Sequence, residues 1–335
     1  MTAIPMPVKL MINLDQELQG VKTVAILGHI RPDGDCIGSC LALYNYIETY
    51  YPEISAKVYL QDFMPEFLML KNADQIVHDW EEAVDYDLCV SLDSADRERH
   101  GAYIGYFDRA KRTIGIDHHV SNQGFADNHL IVSDASATAE IVYDLIGKER
   151  LTKDIASCLY LGMAHDTGIF QYSNTSAKTL RAAADLLETG IEASRIIDET
   201  FYQKSYAQNR ILGKTLMESV LLAEGKIAAG VVTREDLALF GVTPKELDGI
   251  VSQLRYTRGA EVAVFLYELS DDSGSEETAE QRKFKVSLRS NGAVNVSEIA
   301  GMFGGGGHVK AAGCELTGTV SQILEKLEVQ IKAQL

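Results

Sequence analysis

No run of this sequence approaches the ~18 consecutive apolar residues that a membrane-spanning helix needs, so no such helix is expected. No C-x-x-C pair occurs. The five cysteines, Cys36, Cys40, Cys89, Cys158 and Cys314, are odd in number and scattered, which argues against a zinc ribbon or a disulfide framework. They read as free thiols in a reducing cytoplasm. Cys36 and Cys40 are four apart and are expected to share one packed helix face. Residues 1–14 carry two prolines, one lysine and no small-residue cleavage site, so they do not read as a signal peptide. No internal repeat is found. Basic residues are scarce: 31 Lys+Arg against 48 Asp+Glu leave a formal charge of −17. Such a surface repels phosphate polymers unless a local feature reverses the sign.

Apolar residues make up 46% of the 335, enough for packed cores, and charged residues are 24%. That length suggests about two domains at ~150 residues each. The first half alternates short apolar runs with amphipathic stretches. Thr23–Ile30, Lys57–Leu60, Leu88–Leu92 and Thr113–Ile116 read as strands, and Cys36–Thr49 as a helix. The alternation predicts an α/β domain with a doubly wound, mainly parallel sheet. Ile196–Leu216 reads as one long helix connecting two domains. Beyond it, Ile227–Thr233, Glu261–Leu269 and Lys283–Arg289 read as strands, the last two as hairpin partners across an acidic loop, Ser270–Gln281. Val320–Gln334 closes the chain as an amphipathic helix. The expected organisation is residues 1–190, a helical linker over 191–218, and a smaller mixed α/β domain over 219–335.

In doubly wound sheets ligands bind beyond the carboxyl ends of the strands. The polar clusters fall there. His29-Ile30-Arg31-Pro32-Asp33-Gly34-Asp35 follows the first strand, Asp93-Ser94-Ala95-Asp96 the third, and Asp117-His118-His119 the fourth. Ala164-His165-Asp166-Thr167-Gly168 follows the apolar, helical segment Ile155–Met163. A single aspartate after a strand is usually a helix cap or turn former. Four clusters of one ligand chemistry are another matter. Brought together, His29, Asp33, Asp35, Asp93, His118 and Asp166 would repel and desolvate one another without a cation. Oxygen and nitrogen donors without a thiolate suit Mn²⁺, Mg²⁺ or a related ion. Six ligands exceed what one small ion with open positions takes, and fit two ions sharing a carboxylate. The reaction class that follows is metal-assisted phosphoester hydrolysis.

A second feature is Gly304-Gly305-Gly306-Gly307-His308, followed by Val309-Lys310-Ala311-Ala312-Gly313. The glycines let the backbone approach an anion, and the small residues after them read as a helix start. The run is neither a dinucleotide fingerprint nor a P-loop.

Together these residues resemble a known family. His29-x-x-Pro32-Asp33-Gly34-Asp35, Asp93-x-x-Asp96, Asp117-His118-His119 and Asp166-Thr167-Gly168 are similar to the four motifs of the DHH phosphoesterase superfamily. Gly304–His308 through Gly313 resembles the signature of its DHH-associated C-terminal domain. The likeness spans about residues 20–330. It implies one Mn²⁺ held by His29, Asp33 and Asp93, and a second held by Asp35, Asp93, His118 and Asp166, with Asp93 bridging. Mg²⁺ and Co²⁺ are the alternative metals. The resemblance makes His119 a donor to a phosphate or leaving oxygen and Asp117 the carboxylate that orients the histidines. Gly305, Gly306, Gly307 and His308 would grip the far end of the substrate. Arg289 and Arg255 are further candidates for that role, with a plain surface charge the competing reading for each. His165, where some relatives have another residue, is expected to be a neighbour and not a ligand.

The two-domain size resembles the group that degrades very short oligonucleotides and removes the 3′-phosphate from pAp. Short oligonucleotides or pAp-like nucleotides are therefore the expected substrates, in the cytoplasm, with neither long nucleic acid nor membrane as a partner. A homodimer is left open. The main alternative is a stand-alone phosphodiesterase for cyclic dinucleotides such as c-di-AMP, or for pApA. A non-catalytic nucleotide-binding protein would need ligand losses in the motifs, and none is seen. The acidity thus narrows the substrate to short species instead of excluding nucleotides.

Overall fold

A computed structural model describes residues 12–80, 84–270 and 281–335. Most of the expected acidic loop Ser270–Gln281 lies outside the described residues. The chain divides into two compact units, Met1–Gln203 and Lys204–Leu335.

The first unit is built on five strands: β1 Thr23–Leu27, β2 Ser55–Tyr59, β3 Leu88–Leu92, β4 Thr113–Asp117 and β5 Asn128–Ile131. All neighbours pair in parallel, in the order β2-β1-β3-β4-β5. The helices are α1 Leu14–Leu18, α2 Gly34–Tyr50, α3 Ile104–Arg109, α4 Thr138–Ile146, α5 Lys153–Asp166, α6 Ala177–Glu188 and α7 Ala193–Ile197. The strand period of two sorts residues onto two cores. Val24, Ile26, Leu88, Val90 and Leu92 face a core shared with α2, α4 and α5. Ala25, Leu27 and Cys89 face Tyr59, Tyr106 and Phe107 on the other side. Burial on both faces explains why these strands are nearly continuously apolar. The strand order reverses between β1 and β3, and the carboxyl ends flanking that point form the crevice where this topology binds ligands.

The second unit contains α8 Tyr206–Met217, β6 Val220–Leu222, β7 Ile227–Val232, α9 Arg234–Phe240, α10 Ile250–Arg255, β8 Val262–Glu268, β9 Lys283–Ser290, α11 Val296–Met302, β10 Gly306–His308, β11 Ala311–Thr317 and α12 Val320–Lys332. Its mixed sheet runs β10-β11-β9-β8-β7-β6, with only β7 and β8 parallel. The expected pairing of β8 with β9 is present, Val262 opposite Ser290. One face packs Val264, Val286 and Leu288 against Ile299, Ile323 and Leu327. The other packs Ala263 and Phe265 against Ile211, Ile250 and Leu254. No described helix is long and apolar enough to cross a membrane.

Two local expectations are corrected. Ile196–Leu216 is not one helix. α7 runs into a π-turn at Asp198–Tyr202, Gln203 turns extended, and α8 begins afresh. The reason is a capping box: the Ser205 hydroxyl accepts from the Gln208 N–H, and the Gln208 side chain accepts from the Ser205 N–H. The residues after the glycine run are likewise not a helix start. Gly306–His308 and Ala311–Thr317 form an antiparallel hairpin, Gly307 opposite Ala312. Pairing of β11 with β9 along its whole length decides this, because Ala and Gly fit either conformation.

Candidate metal centre

The four loops converge. His29 lies two residues beyond β1, and its Nδ1–H donates to the Ile30 carbonyl at 2.9 Å. That leaves Nε2 facing Asp33 Oδ2 at 3.7 Å and Asp93 Oδ2 at 3.4 Å. His118 follows β4 and is anchored the same way, Nδ1–H to the Ala135 carbonyl at 3.4 Å. Its Nε2 lies 3.6 Å from Asp93 Oδ1 and 3.2 Å from Asp166 Oδ2. A backbone carbonyl on one ring nitrogen fixes the tautomer that frees the other for a cation. Asp93 therefore turns one oxygen toward each imidazole. It sits just after β3 with φ 53°, in the left-handed region that few residues other than Gly, Asn and Asp tolerate.

Asp33 caps α2: its Oδ1 accepts the N–H groups of Asp35 and Cys36, each at 3.1 Å. The cap uses one oxygen of this carboxylate and leaves the other facing His29. Asp35 is fully buried, and both its oxygens accept backbone N–H groups at the start of α4, Thr138 at 2.7 Å and Ala139 at 2.9 Å. Gly162 of α5 is needed here, because a Cβ would stand 2.8 Å from Asp35 Oδ1. Asp166 is the last residue of α5. Three groups of donors each lie within 4.8 Å of one another: His29, Cys36 and Asp93; Asp93, His118 and His119; Asp35, His118 and Asp166. Asp93 and His118 each belong to two of them.

The electrostatics set opposite demands. Burial, then the charges of Asp93, Asp166 and Asp33, pushes Asp35 well above the carboxylate range. Burial also lifts Asp166 to about 7, with Asp93 and Asp33 adding to it against the pull of His118. Burial opposes charge on His29, but the hydrogen bonds and charge of Asp33 and Asp93 raise its pKa. Divalent cations would satisfy these oxygens and imidazole nitrogens together, so the donor set fits the implied metals. The Cys36 thiol is held protonated by burial, with Sγ accepting the His29 N–H at 3.3 Å.

His119 donates Nδ1–H to Asp117 Oδ1 at 2.7 Å, and Asn122 donates to Asp117 Oδ2 at 2.7 Å. The His165 ring lies against Gly34, where a Cβ would overlap it, beside the loop that carries Asp33 and Asp35. Its Nε2–H donates to the Thr200 hydroxyl at 3.2 Å, and its ring packs on Phe201 at 4.2 Å between centroids. Thr138, Ala139 and Asn122 were missed in the sequence. Backbone donors leave no mark in side-chain chemistry, and the entry to α4 carries no side-chain cap, its N-cap being Ala137.

In the second unit, His308, Ala311 and Arg289 stand opposite one another on β10, β11 and β9, which puts His308 and Arg289 on one sheet face. Ala263 continues that row, on the face packed by α10, the helix that carries Arg255. Arg255 itself donates to Asn291 Oδ1 at 3.1 Å and lies 4.7 Å from the Tyr256 ring centroid. Gly305, Gly306 and Gly307 are exposed. At Gly307, φ is 146° and a Cβ would meet the Ala311 carbonyl oxygen at 2.5 Å, so the hairpin needs glycine there.

Residues 23–163 match the DHH family, N-terminal domain, and residues 225–333 the DHHA1 domain. The bifunctional oligoribonuclease and PAP phosphatase NrnA of Thermus thermophilus is 32% identical over 319 residues, 93% of this chain and 90% of that protein. The protein of the same name from Bacillus subtilis is 27% identical, covering 92% of this chain and 95% of that one. The crystal structure of an exopolyphosphatase-related protein from Bacteroides fragilis has a TM-score of 0.83 at 24% identity, over 96% of this chain and 94% of its own. That likeness concerns the fold. The matched domains, the extent of the relatives' identity and the convergence of all four motifs at one sheet edge agree: the chain belongs to the DHH family and carries a DHHA1 domain after its DHH domain.

Proposed function

We propose that this protein is a two-metal phosphoesterase that hydrolyses short oligonucleotides to nucleoside monophosphates and pAp to AMP and phosphate. The observation that carries the reading is the Asp93 carboxylate, with Oδ2 toward His29 and Oδ1 toward His118. One ion, Mn²⁺ in preference to Mg²⁺ or Co²⁺, would be held by His29, Asp33 and Asp93. A second would be held by Asp35, Asp93, His118 and Asp166. Bound there, such a pair would supply Lewis-acid stabilisation of a phosphoryl displacement. His119 presents Nε2 to the substrate, since Nδ1 is engaged by Asp117. The hydrogen bond from His119 to Asp117 raises the imidazole pKa and favours the protonated form that can donate to a phosphate or leaving oxygen. Arg289, His308 and the Gly305–Gly307 backbone recognise the rest of the nucleotide, with Arg255 beside them. The names of the Thermus and Bacillus relatives support the substrate class. The site of action is the cytoplasm, a reading that five buried free cysteines support.

The test is nucleoside monophosphate release from a 5′-labelled dinucleotide by the wild-type chain and by Asp93→Asn, with Mn²⁺ and with EDTA. Release by wild type that EDTA abolishes and the variant lacks is the expected result. Release that persists in EDTA, or none with any divalent metal, overturns the reading.

A further inference from the structure

The first turn of α4 touches the proposed metal ligands without belonging to them. The Thr138 hydroxyl donates to Asp93 Oδ1 at 3.0 Å, while the Thr138 and Ala139 N–H groups hold both oxygens of Asp35. Thr138 is fully buried. This turn is itself held from behind. Glu140, almost wholly buried, accepts the Ser136 N–H at 3.3 Å and hydroxyl at 2.6 Å, and the Thr179 hydroxyl at 2.7 Å, all on Oε2. Lys178 lies 3.0 Å from its other oxygen. Asn174 donates to the Ser136 carbonyl at 2.9 Å and to the Asp166 carbonyl at 3.1 Å. One short stretch, Ser136–Ala139, is thus bonded to the side chains of Asp35 and Asp93 and, through Asn174, to the backbone of Asp166.

We infer that Thr138 is a positioning residue for the bridging carboxylate. A carboxylate on a Cβ–Cγ bond has a broad, soft torsion. A hydroxyl bonded to Oδ1 fixes its plane, so that Oδ1 faces His118 and Oδ2 faces His29. Rotation of that plane would leave each imidazole without its shared oxygen. The inference rests on the two-metal reading. Outer partners of metal ligands commonly carry tenfold to a hundredfold of the affinity, and a fixed bridge concerns both ions at once.

The test is calorimetric titration of Mn²⁺ alone into the metal-free full chain, for wild type, Thr138→Val and Thr138→Ser, with the thermal midpoint of each metal-free protein. Val removes the hydroxyl at similar shape, and Ser restores it. The expected result is two Mn²⁺ in wild type, about tenfold weaker uptake by Thr138→Val at a midpoint close to that of Thr138→Ser, and near wild-type affinity in Thr138→Ser. Wild-type affinity in Thr138→Val, or equal weakening in both variants, overturns the inference while leaving the two-metal reading intact. Absence of Mn²⁺ uptake by wild type overturns both. Should Thr138→Val fail to fold, the exposed Asn174→Ala decides: weaker Mn²⁺ uptake supports the scaffold, unchanged uptake overturns it.

Discussion

His29 presents Nε2 to Asp93 Oδ2 at 3.4 Å, with its other ring nitrogen already committed to the Ile30 carbonyl. The Asp93 charge favours protonated His29, yet it also burdens the neighbouring carboxyl groups. Asp35 and Asp166 both have their pKa values raised in part by it. Asp93→Asn is therefore expected to keep the fold, because Asn also tolerates the left-handed φ. Hydrolysis should fall by about 10³-fold or more, the loss of several kcal/mol of metal stabilisation. Activity and thermal midpoint measured on one preparation check both halves.

Asp117 and His119 act as a pair, so their removal is expected to be non-additive. Asp117→Asn leaves one acceptor oxygen for two donors, His119 Nδ1–H and Asn122, and removes the charge that helps raise the His119 pKa. kcat should fall by about tenfold to a hundredfold, with KM little changed. His119→Gln should cost at least as much, and the double variant about the same as His119→Gln alone. A full product of the two single effects would separate the residues.

Stability toward acid should depend on Glu140. Burial alone would push this carboxyl up, but the donors Ser136, Thr179 and Lys178 outweigh it and hold the pKa below the usual 4.5. Its stabilisation is therefore complete above the unfolded value and is lost as pH falls through the lower folded one. Glu140→Gln should cost about 1–3 kcal/mol near pH 7, and the gap to wild type should shrink near pH 3. Thermal midpoints across that range give the comparison.

The β10–β11 hairpin yields a prediction on substrate recognition. Gly307→Ala places a Cβ 2.6 Å from Ala312 Cα and must shift the strand that carries His308. KM for a dinucleotide should rise by about tenfold, the ~1.4 kcal/mol of one lost contact, with kcat close to wild type. His308→Ala should do the same for a dinucleotide more than for a generic phosphodiester. Equal effects on both substrates would deny the hairpin a recognition role.

The residues show why some of this was legible and some was not. β3 matches its expected span, Leu88–Leu92, because burial on both faces makes its apolar run unambiguous. The side chains proposed as metal ligands could be picked out because each cluster follows an apolar element, as Asp93 follows β3. The Ser136–Ala139 turn could not be read as part of the site, because most of what it offers Asp35 is backbone N–H. The break before α8 carried a signal that outlined the cap, Ser205-x-x-Gln208, which helical periodicity on either side obscured. Ala311-Ala312-Gly313 reads as a helix start because its local preference is weak, and pairing with β9 overrides it.

The most direct test of the account is chromatographic product analysis of wild-type protein with Mn²⁺ on a panel of 5′-labelled dinucleotides, a longer RNA, pAp and cyclic dinucleotides. Rapid conversion of the dinucleotides to nucleoside monophosphates and of pAp to AMP, with the longer RNA and the cyclic species largely spared, is the predicted result. Preferential attack on the cyclic dinucleotides or on the longer RNA would contradict it.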